Sequence, residues 1–207
     1  NLYRYIFLFL LLLISSCNTN TNKTNDINLK IKSFRMNQYS SNGEHLYSIN
    51  SPESTFNQKA QIYKLDRTII KFFQKDKITY IINADNSSLL NNKKILKLFG
   101  NVTITDNEDS KTIIKAEKFF WDINKSNFVL DGNVVLENKY IFLSSSKAFL
   151  NKEADLIEFF NPVKYKYSNI VNREIYNISS ENAYYDLKNK TVIFKSNKER
   201  VKTKITY

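Results

Sequence analysis

The chain has 207 residues and a formal net charge of +11, from 31 Lys and Arg against 20 Asp and Glu. A single cysteine excludes an internal disulfide, and a single histidine beside it leaves no ligand set for a zinc site. The lysines are spread along a chain that is also rich in Asn and Ile, and no RNA- or DNA-binding motif is present. The charge therefore does not indicate a nucleic-acid partner.

The first predicted element is an N-terminal leader. Residues 6–14 read IFLFLLLLI behind Arg4, which fits the apolar region of a secretory signal and is too short to span a bilayer. The following Ile14-Ser15-Ser16-Cys17 resembles the lipobox of bacterial lipoproteins. That resemblance implies a signal peptide over residues 1–16, cleavage before Cys17 and lipidation of its thiol. An uncleaved short anchor and an unmodified cysteine remain as alternatives.

A polar segment follows the cysteine. Residues 17–28 are rich in Asn and Thr and contain no aromatic residue, a composition that cannot bury enough apolar surface to fold by itself. We therefore expect a flexible tether between the leader and the rest of the chain.

From residue 29 onward the pattern is that of β-strands. Apolar residues alternate with polar ones in KILKLFGNVTITD (94–106) and in SNFVLDGNVVLEN (126–138), whereas no long segment keeps a helical stripe. The alternation gives each strand one buried face. The sequence therefore predicts an all-β fold of antiparallel strands over residues 29–207.

The strands belong to a repeated unit. Ala84-Asp85 and Gly100-Asn101-Val102 recur 32 residues later as Ala116-Glu117 and Gly132-Asn133-Val134. Residues 180–194 match the second copy at an offset of 64, and residues 144–163 form a weaker copy at an offset of 28. A period of about 30 residues indicates stacked hairpins that bury their apolar faces against one another. Gly100 and Gly132 are then strand glycines, best explained by a bend, with close approach of a ligand to the backbone as the alternative.

This tiled unit, placed after an N-terminal anchor, resembles the LptC family of lipopolysaccharide-export proteins and its LptA and OstA relatives. The stretch YSINSPEST (47–55) is also similar to the strand with which that family's β domain begins, and the likeness covers about residues 45–195. The resemblance implies an open, twisted β-jellyroll whose two sheets enclose an apolar trough for the acyl chains of lipopolysaccharide.

The resemblance also implies the partners and the location of the protein. These are lipopolysaccharide, the subunits of an inner-membrane ABC transporter and an LptA-like jellyroll that joins by edge-strand pairing, in the periplasm and at the inner membrane. No cofactor is implied. The chain departs from the best-known members of the family, which are held by an uncleaved transmembrane helix and not by a lipobox-like leader.

The candidate lipid-contacting residues follow from strand parity. They share the apolar side of the repeated strands, and ordinary core packing is the alternative for each: Leu98, Val102, Ile104, Phe128, Leu130, Val134, Leu136, Val192 and Phe194. For Phe119, Phe120 and Trp121 both a trough and an edge position remain open.

The sequence offers no catalytic constellation. His45 follows SSNGE and is interpreted as an exposed turn residue, so no Ser-His-Asp or Cys-His arrangement is supported and we expect no enzyme. Residues 199–207, ERVKTKITY, are either a last edge strand or a basic tail. The competing function is a structural or adhesive surface lipoprotein with a closed β core.

Overall fold

The computed structural model describes residues 28–90, 92, 94–107, 112–125, 127–151, 153–160, 162–169, 174–198 and 200–206. The predicted signal peptide and Cys17 lie outside the described residues, as does the predicted tether up to residue 27. The first strand begins at Asn28, the last residue of the predicted tether.

Fourteen antiparallel strands form one open sheet, and the described residues contain no helix. The all-β jellyroll prediction is confirmed. The strands are β1 (Asn28–Tyr39), β2 (His45–Asn57), β3 (Ile62–Gln74), β4 (Lys77–Leu90), β5 (Ile95–Asp106), β6 (Ile113–Asp122), β7 (Asn127–Glu137), β8 (Ile141–Asn151), β9 (Leu156–Phe160), β10 (Val163–Asn169), β11 (Glu174–Ser180), β12 (Asn182–Asp186), β13 (Thr191–Lys195) and β14 (Lys202–Thr206).

The strands run through two layers. β1 to β8 follow one another as hairpins, and each is 10 to 14 residues long, about twice the usual length of a strand. Beyond them, β9 pairs with the C-terminal half of β8 and β10 with its N-terminal half. In the same way β11 and β14 continue the ladder of β10, whereas β12 and β13 continue that of β9. Every long strand therefore bends once and contributes one half to each layer.

The two layers can be named from this pairing. The first layer holds the N-terminal halves of β1, β3, β5 and β7, the C-terminal halves of β2, β4, β6 and β8, and the strands β9, β12 and β13. The second layer holds the opposite halves with β10, β11 and β14. The apolar core lies between the layers.

The repeated Gly-Asn pairs lie where the strands bend. Gly100, Asn101, Gly132 and Asn133 all have positive φ, and the ladder shifts register on both sides of β5 and β7 at these positions. The Asn101 Nδ2 donates to Asp85 Oδ2 at 2.8 Å, and Asn133 Nδ2 donates to the Glu117 carboxylate. The repeated acidic residue and the repeated Gly-Asn pair thus form one corner between neighbouring strands.

The third copy of the unit builds its corner with the same carboxylate. Glu181, 64 residues after Glu117, accepts the backbone N–H groups of Asn197 at 3.0 Å and Lys198 at 2.9 Å. Here β13 ends at Lys195 and β14 begins at Lys202, so the last long strand is interrupted at the corner. The corner is therefore more open at this end of the sheet.

The predicted hairpin turns are held by side-chain acceptors. Asp122 Oδ1 accepts the N–H of Asn124 at 3.2 Å, and Asp186 Oδ1 accepts the N–H groups of Lys188 and Asn189 at 2.9 and 2.7 Å. The pKa of Asp122 is lowered, mainly by its hydrogen bond with Lys125, and that of Asp186 by the backbone N–H of Asn189. These repeated aspartates therefore favour the folded state in their charged form.

A double variant, Asp122→Asn with Asp186→Asn, tests this role. A carboxyl whose folded pKa is lowered contributes stability above its unfolded value, which is lost as the pH falls through the folded pKa. We expect the variant to have a lower urea midpoint than the parent chain at pH 7 and the same midpoint at pH 2. An equal difference at both pH values would contradict a role of the charge.

Candidate functional site

The space between the layers is lined by the residues selected from parity. Seven of the nine candidates are buried in the core, with Leu98, Val102, Leu130, Val134 and Leu136 fully buried and Ile104 and Phe128 nearly so. Val192 and Phe194 are half-buried and pack against the margin of this core. The parity prediction therefore selected inward-facing positions, but burial alone does not distinguish a ligand contact from core packing.

The middle of this interior is closed by aromatic rings. Tyr47 and Phe72 of the second layer meet Trp121 and Phe128 of the first, with ring centroids 4.8 Å apart for Tyr47–Trp121 and 5.7 Å for Phe72–Phe128. Phe119 stacks on Phe128 at 5.3 Å. These five residues, the aromatic cluster, hold the layers together far from the corners. Burial raises the pKa of Tyr47, so its hydroxyl stays protonated and uncharged.

A small cavity adjoins the aromatic cluster. Its volume is about 30 Å³, space for about one water molecule, and its lining includes Ile82, Ile104 and Ile114 with rings of the cluster. An ion pair bridges the layers at this side, with Lys190 Nζ 3.3 Å from Asp106 Oδ2. In this state the middle of the interior has no room for an acyl chain.

The N-terminal end of the interior is partly closed. Phe34 of β1 in the second layer lies 5.4 Å from the Tyr63 ring in the first, and Phe56 stacks on Tyr63 at 4.4 Å. The edge strand β1 therefore covers much of its end of the core with its own side chains, although Leu29, paired with Phe56, is 49% exposed.

The C-terminal end is less covered, because a whole cross-strand row of its inward-facing residues is only partly buried. Ile141, Tyr167, Tyr176 and Ile205 form one cross-strand row on the side that buries Leu143. Ile205 is 46% exposed. We call this region the open end, and its members are Tyr165, Tyr167, Tyr176, Ile178, Val192, Phe194 and Ile205.

One contact closes part of the open end. The rings of Tyr165 and Phe194, from different layers, lie 5.1 Å apart in an edge-on arrangement. Burial, and after it the nearby Tyr167, raises the pKa of Tyr165, so the hydroxyl remains protonated and uncharged at neutral pH. The open end is thus an apolar and aromatic surface that leads from solvent to the sealed core.

The structure decides the positions that the sequence left open. Phe119 and Trp121 face inward, whereas Phe120 between them points to the outer surface and is 38% exposed. Trp121 Nε1 donates to the Lys125 carbonyl at 3.2 Å, which satisfies its polar group inside the apolar cluster.

The interpretation of His45 was wrong. His45 begins β2 and is half-buried, with its ring between those of Tyr39 at 4.8 Å and Phe73 at 3.9 Å. Its Nε2 is buried without a hydrogen-bond partner. The turn signal of SSNGE is real, but the strand starts one residue after it, and the two flanking aromatic rings cover the imidazole.

Sequence reasoning missed most of the open end. Tyr165, Tyr167, Tyr176 and Ile205 were not selected, although YKY (165–167) has the alternation of the repeated strands. These strands carry no Gly-Asn-Val signature, and the repeat was the guide to the candidates.

Two further classes of site have no support in the described part of the chain. It contains no group of three or more His, Cys, Asp or Glu placed to hold a metal ion. None of its segments forms a helix long and apolar enough to cross a membrane.

The bent strands and the apolar space between the layers define the class of the protein as an open β-jellyroll with a hydrophobic interior. A family profile described as "Lipopolysaccharide-assembly, LptC-related" matches residues 5–168, so the chain belongs to this family. The predicted family is confirmed, and with it a part in lipopolysaccharide transport in the bacterial envelope.

Among solved structures the chain is similar to LptH of Pseudomonas aeruginosa, described as the LptA-homologous periplasmic component of the conserved lipopolysaccharide transport device. The TM-score is 0.47, with 12% sequence identity over 62% of this chain and 94% of that chain. A comparison with curated protein sequences finds no match.

Proposed function

We propose that the chain is a membrane-anchored, non-enzymatic carrier that holds the acyl chains of lipopolysaccharide between its two layers. It would receive the lipid from an inner-membrane ABC transporter and pass it to a further jellyroll. The observation that carries this proposal is the open end, where apolar and aromatic residues lie partly exposed and continue into the core.

The need for such a surface follows from the hydrophobic effect. Apolar surface in water costs about 25 cal/mol per Å², so a lipid with several acyl chains faces a penalty of tens of kcal/mol in an aqueous compartment. A continuous apolar surface from membrane to membrane removes most of that penalty. The open end supplies one section of such a surface.

The closed middle requires movement for a chain to go deeper. The cavity beside the aromatic cluster has a volume of about 30 Å³, so the rings of Phe72 and Phe128 must part before an acyl chain can pass. The ion pair of Lys190 with Asp106 opposes this only weakly, since partly exposed pairs contribute about 0–1 kcal/mol. We propose that acyl chains enter at the open end and spread the layers from there.

Both borders of the sheet are available for strand addition in the described part of the chain. β1 pairs only with β2, β13 only with β12, and β14 only with β11. Unpaired N–H and C=O groups of an edge strand can pair with another chain. We propose that a transporter subunit and an LptA-like jellyroll use these two borders, which would join their interiors to that of this chain.

The anchor belongs to the same proposal. Cleavage of a signal peptide (1–16) and lipidation of Cys17 would leave residues 17–27 as a tether of at most about 40 Å to β1, which begins at Asn28. Two acyl chains on Cys17 would hold the protein stably on a membrane. The tether would join the sheet at β1, so the open end would lie on the side away from the attachment.

The alternative function, a structural or adhesive lipoprotein, predicts a closed β core. The aromatic cluster gives the middle of the interior such a closed core. The partly exposed open end is not expected of such a lipoprotein, because a display scaffold gains nothing from uncovered inward-facing aromatics. Family membership also supports the carrier.

Photo-crosslinking on one strand tests the carrier function. A photoreactive phenylalanine analogue at Phe194 faces the interior, and the same analogue at Ile193, which is 60% exposed, faces outward on the same strand. We expect lipopolysaccharide adducts at position 194 and none above background at 193. Equal yields at both positions would contradict binding between the layers.

A further inference from the structure

A pocket of about 260 Å³ lies at the corner of the C-terminal end. β10, β11 and the interrupted last strand form it, and its lining includes Lys164, Ser179, Ser196, Lys198, Arg200 and Lys202. Four cationic side chains thus meet in one concave site with the hydroxyl groups of Ser179, Ser180 and Ser196. We call it the corner pocket.

The corner pocket has a strong excess of positive charge. Glu181 is the one carboxylate among its described lining residues, and it already accepts the N–H groups of Asn197 and Lys198 at 3.0 and 2.9 Å. Glu199, the neighbour of Lys198 in sequence, lies outside the described residues. The carboxylate of Glu181 therefore fixes the loop that carries Lys198.

The hydroxyl groups complete a donor set suited to an anion. Ser196 Oγ accepts the N–H of Glu181 at 3.0 Å, and a hydroxyl that accepts one hydrogen bond can still donate its own proton. An arginine, several lysines and hydroxyl donors in one concavity match the geometry of phosphate, which accepts several charge-assisted hydrogen bonds.

The corner pocket shares its strands with the open end. Lys164 points to the outer side of β10, and its neighbours Val163 and Tyr165 point inward. Lys164, Ser179 and Lys202 form one cross-strand row, three residues along the β10 and β11 ladder from the row that carries Tyr167 and Tyr176. An amphiphile that crosses this border could place acyl chains inside and a charged headgroup outside.

A simpler role for the lysines does not account for the site. Lysine on an edge strand discourages edge-to-edge aggregation, which would explain Lys202 on β14. Lys164 lies on β10, which is paired on both sides by β8 and β11. Its charge does not protect an edge, and the concavity with its hydroxyl groups is not needed for that purpose.

We infer that the corner pocket binds a phosphate group on the headgroup of the amphiphile whose acyl chains occupy the open end. This inference rests on the proposed carrier function and adds a specificity to it, because phosphorylated amphiphiles would bind more tightly than their dephosphorylated forms.

The test compares two triple variants of the full chain with equal loss of charge. Lys164→Gln, Lys198→Gln and Arg200→Gln remove the pocket cations, and Lys59→Gln, Lys75→Gln and Lys77→Gln remove three exposed lysines elsewhere. Each protein is titrated in detergent micelles with diphosphoryl lipid A and with enzymatically dephosphorylated lipid A. We expect the pocket variant to bind the phosphorylated form about tenfold more weakly and the dephosphorylated form unchanged, with less than about a twofold change for the control.

Two outcomes of the lipid A titration would overturn the inference. One is equal affinity of the parent chain for both lipid forms, and the other is an equal loss in the two triple variants, which would indicate only long-range attraction. Inorganic phosphate alone should compete at millimolar concentration in the parent chain and not in the pocket variant. If vesicles of phosphatidylglycerol bind as tightly as lipid A and lose binding in the pocket variant, the phosphate that the corner pocket binds belongs to a membrane surface. The assignment to the headgroup of the transported amphiphile would then be wrong.

Failure here would be distinguishable from failure of the carrier function. Adducts at position 194 should persist in the pocket variant, because the acyl chains retain their apolar surface. Absence of phosphate selectivity in the parent chain, with adducts retained at position 194, would reject the corner pocket alone, and absence of adducts in the parent chain would reject the carrier.

Discussion

Aspartate in place of Phe194 is expected to reduce lipopolysaccharide binding at least about tenfold while the fold persists. The ring is half-buried and meets Tyr165 at 5.1 Å at the entrance to the interior. An acyl chain that enters here would have to desolvate the new carboxylate without a partner, at a cost above the ~1–3 kcal/mol of an unpaired neutral polar group. Because the site is at the margin of the core, much of that cost falls on the bound state and not on folding.

The matched control is Ile193→Asp on the outer side of β13. It introduces the same charge one residue away, and Ile193 is 60% exposed, so binding should change by less than about twofold. Equilibrium binding of a fluorescent lipid A analogue gives the comparison, with urea unfolding to establish that both variants are folded. Equal weakening by the two substitutions would show that the open end is not the binding surface.

Alanine in place of Gly132 is expected to destabilise the chain by about 2–4 kcal/mol, the largest effect on folding predicted here for a single methyl group. The residue has φ +77°, where an L side chain is strained, and an added Cβ would lie 2.9 Å from Glu117 Cβ. The corner leaves no room for it unless the neighbouring strand moves.

The variant Gly43→Ala separates the cost of a positive φ from the cost of the steric contact. Gly43 has φ +81° but nothing within 4 Å of an added Cβ, so its substitution should cost only the backbone term of about 1 kcal/mol. Urea unfolding of both variants measures the difference. A loss at Gly132 no greater than that at Gly43 would mean that the corner adapts and that the contact with Glu117 does not shape the bend.

Much of the fold could be predicted because the signal is local and repeated. The inward-facing residues on both sides of each bend keep the same parity, as Leu98 and Val102 do around Gly100-Asn101, so one alternation selects the core face of both layers. The acidic residue and the Gly-Asn pair recur because neighbouring strands must bend at the same level.

The closed and open regions of the interior could not be predicted, because they depend on contacts between distant segments. Tyr47 meets Trp121 and Tyr165 meets Phe194 only after the layers fold onto each other, and no periodicity encodes those distances. The prediction that His45 is exposed failed for a related reason, since Tyr39 and Phe73 reach its ring from the two neighbouring strands.

The central claim is that acyl chains lie between the two layers at the open end. Intermolecular nuclear Overhauser effects between lipid A methylene protons and selectively labelled aromatic and isoleucine side chains test it most directly. The account predicts contacts to Phe194, Tyr176 and Ile205, and none to the outward-facing Phe120 and Phe142. Methylene contacts confined to Phe120 and Phe142, with the inward-facing residues silent, would contradict it.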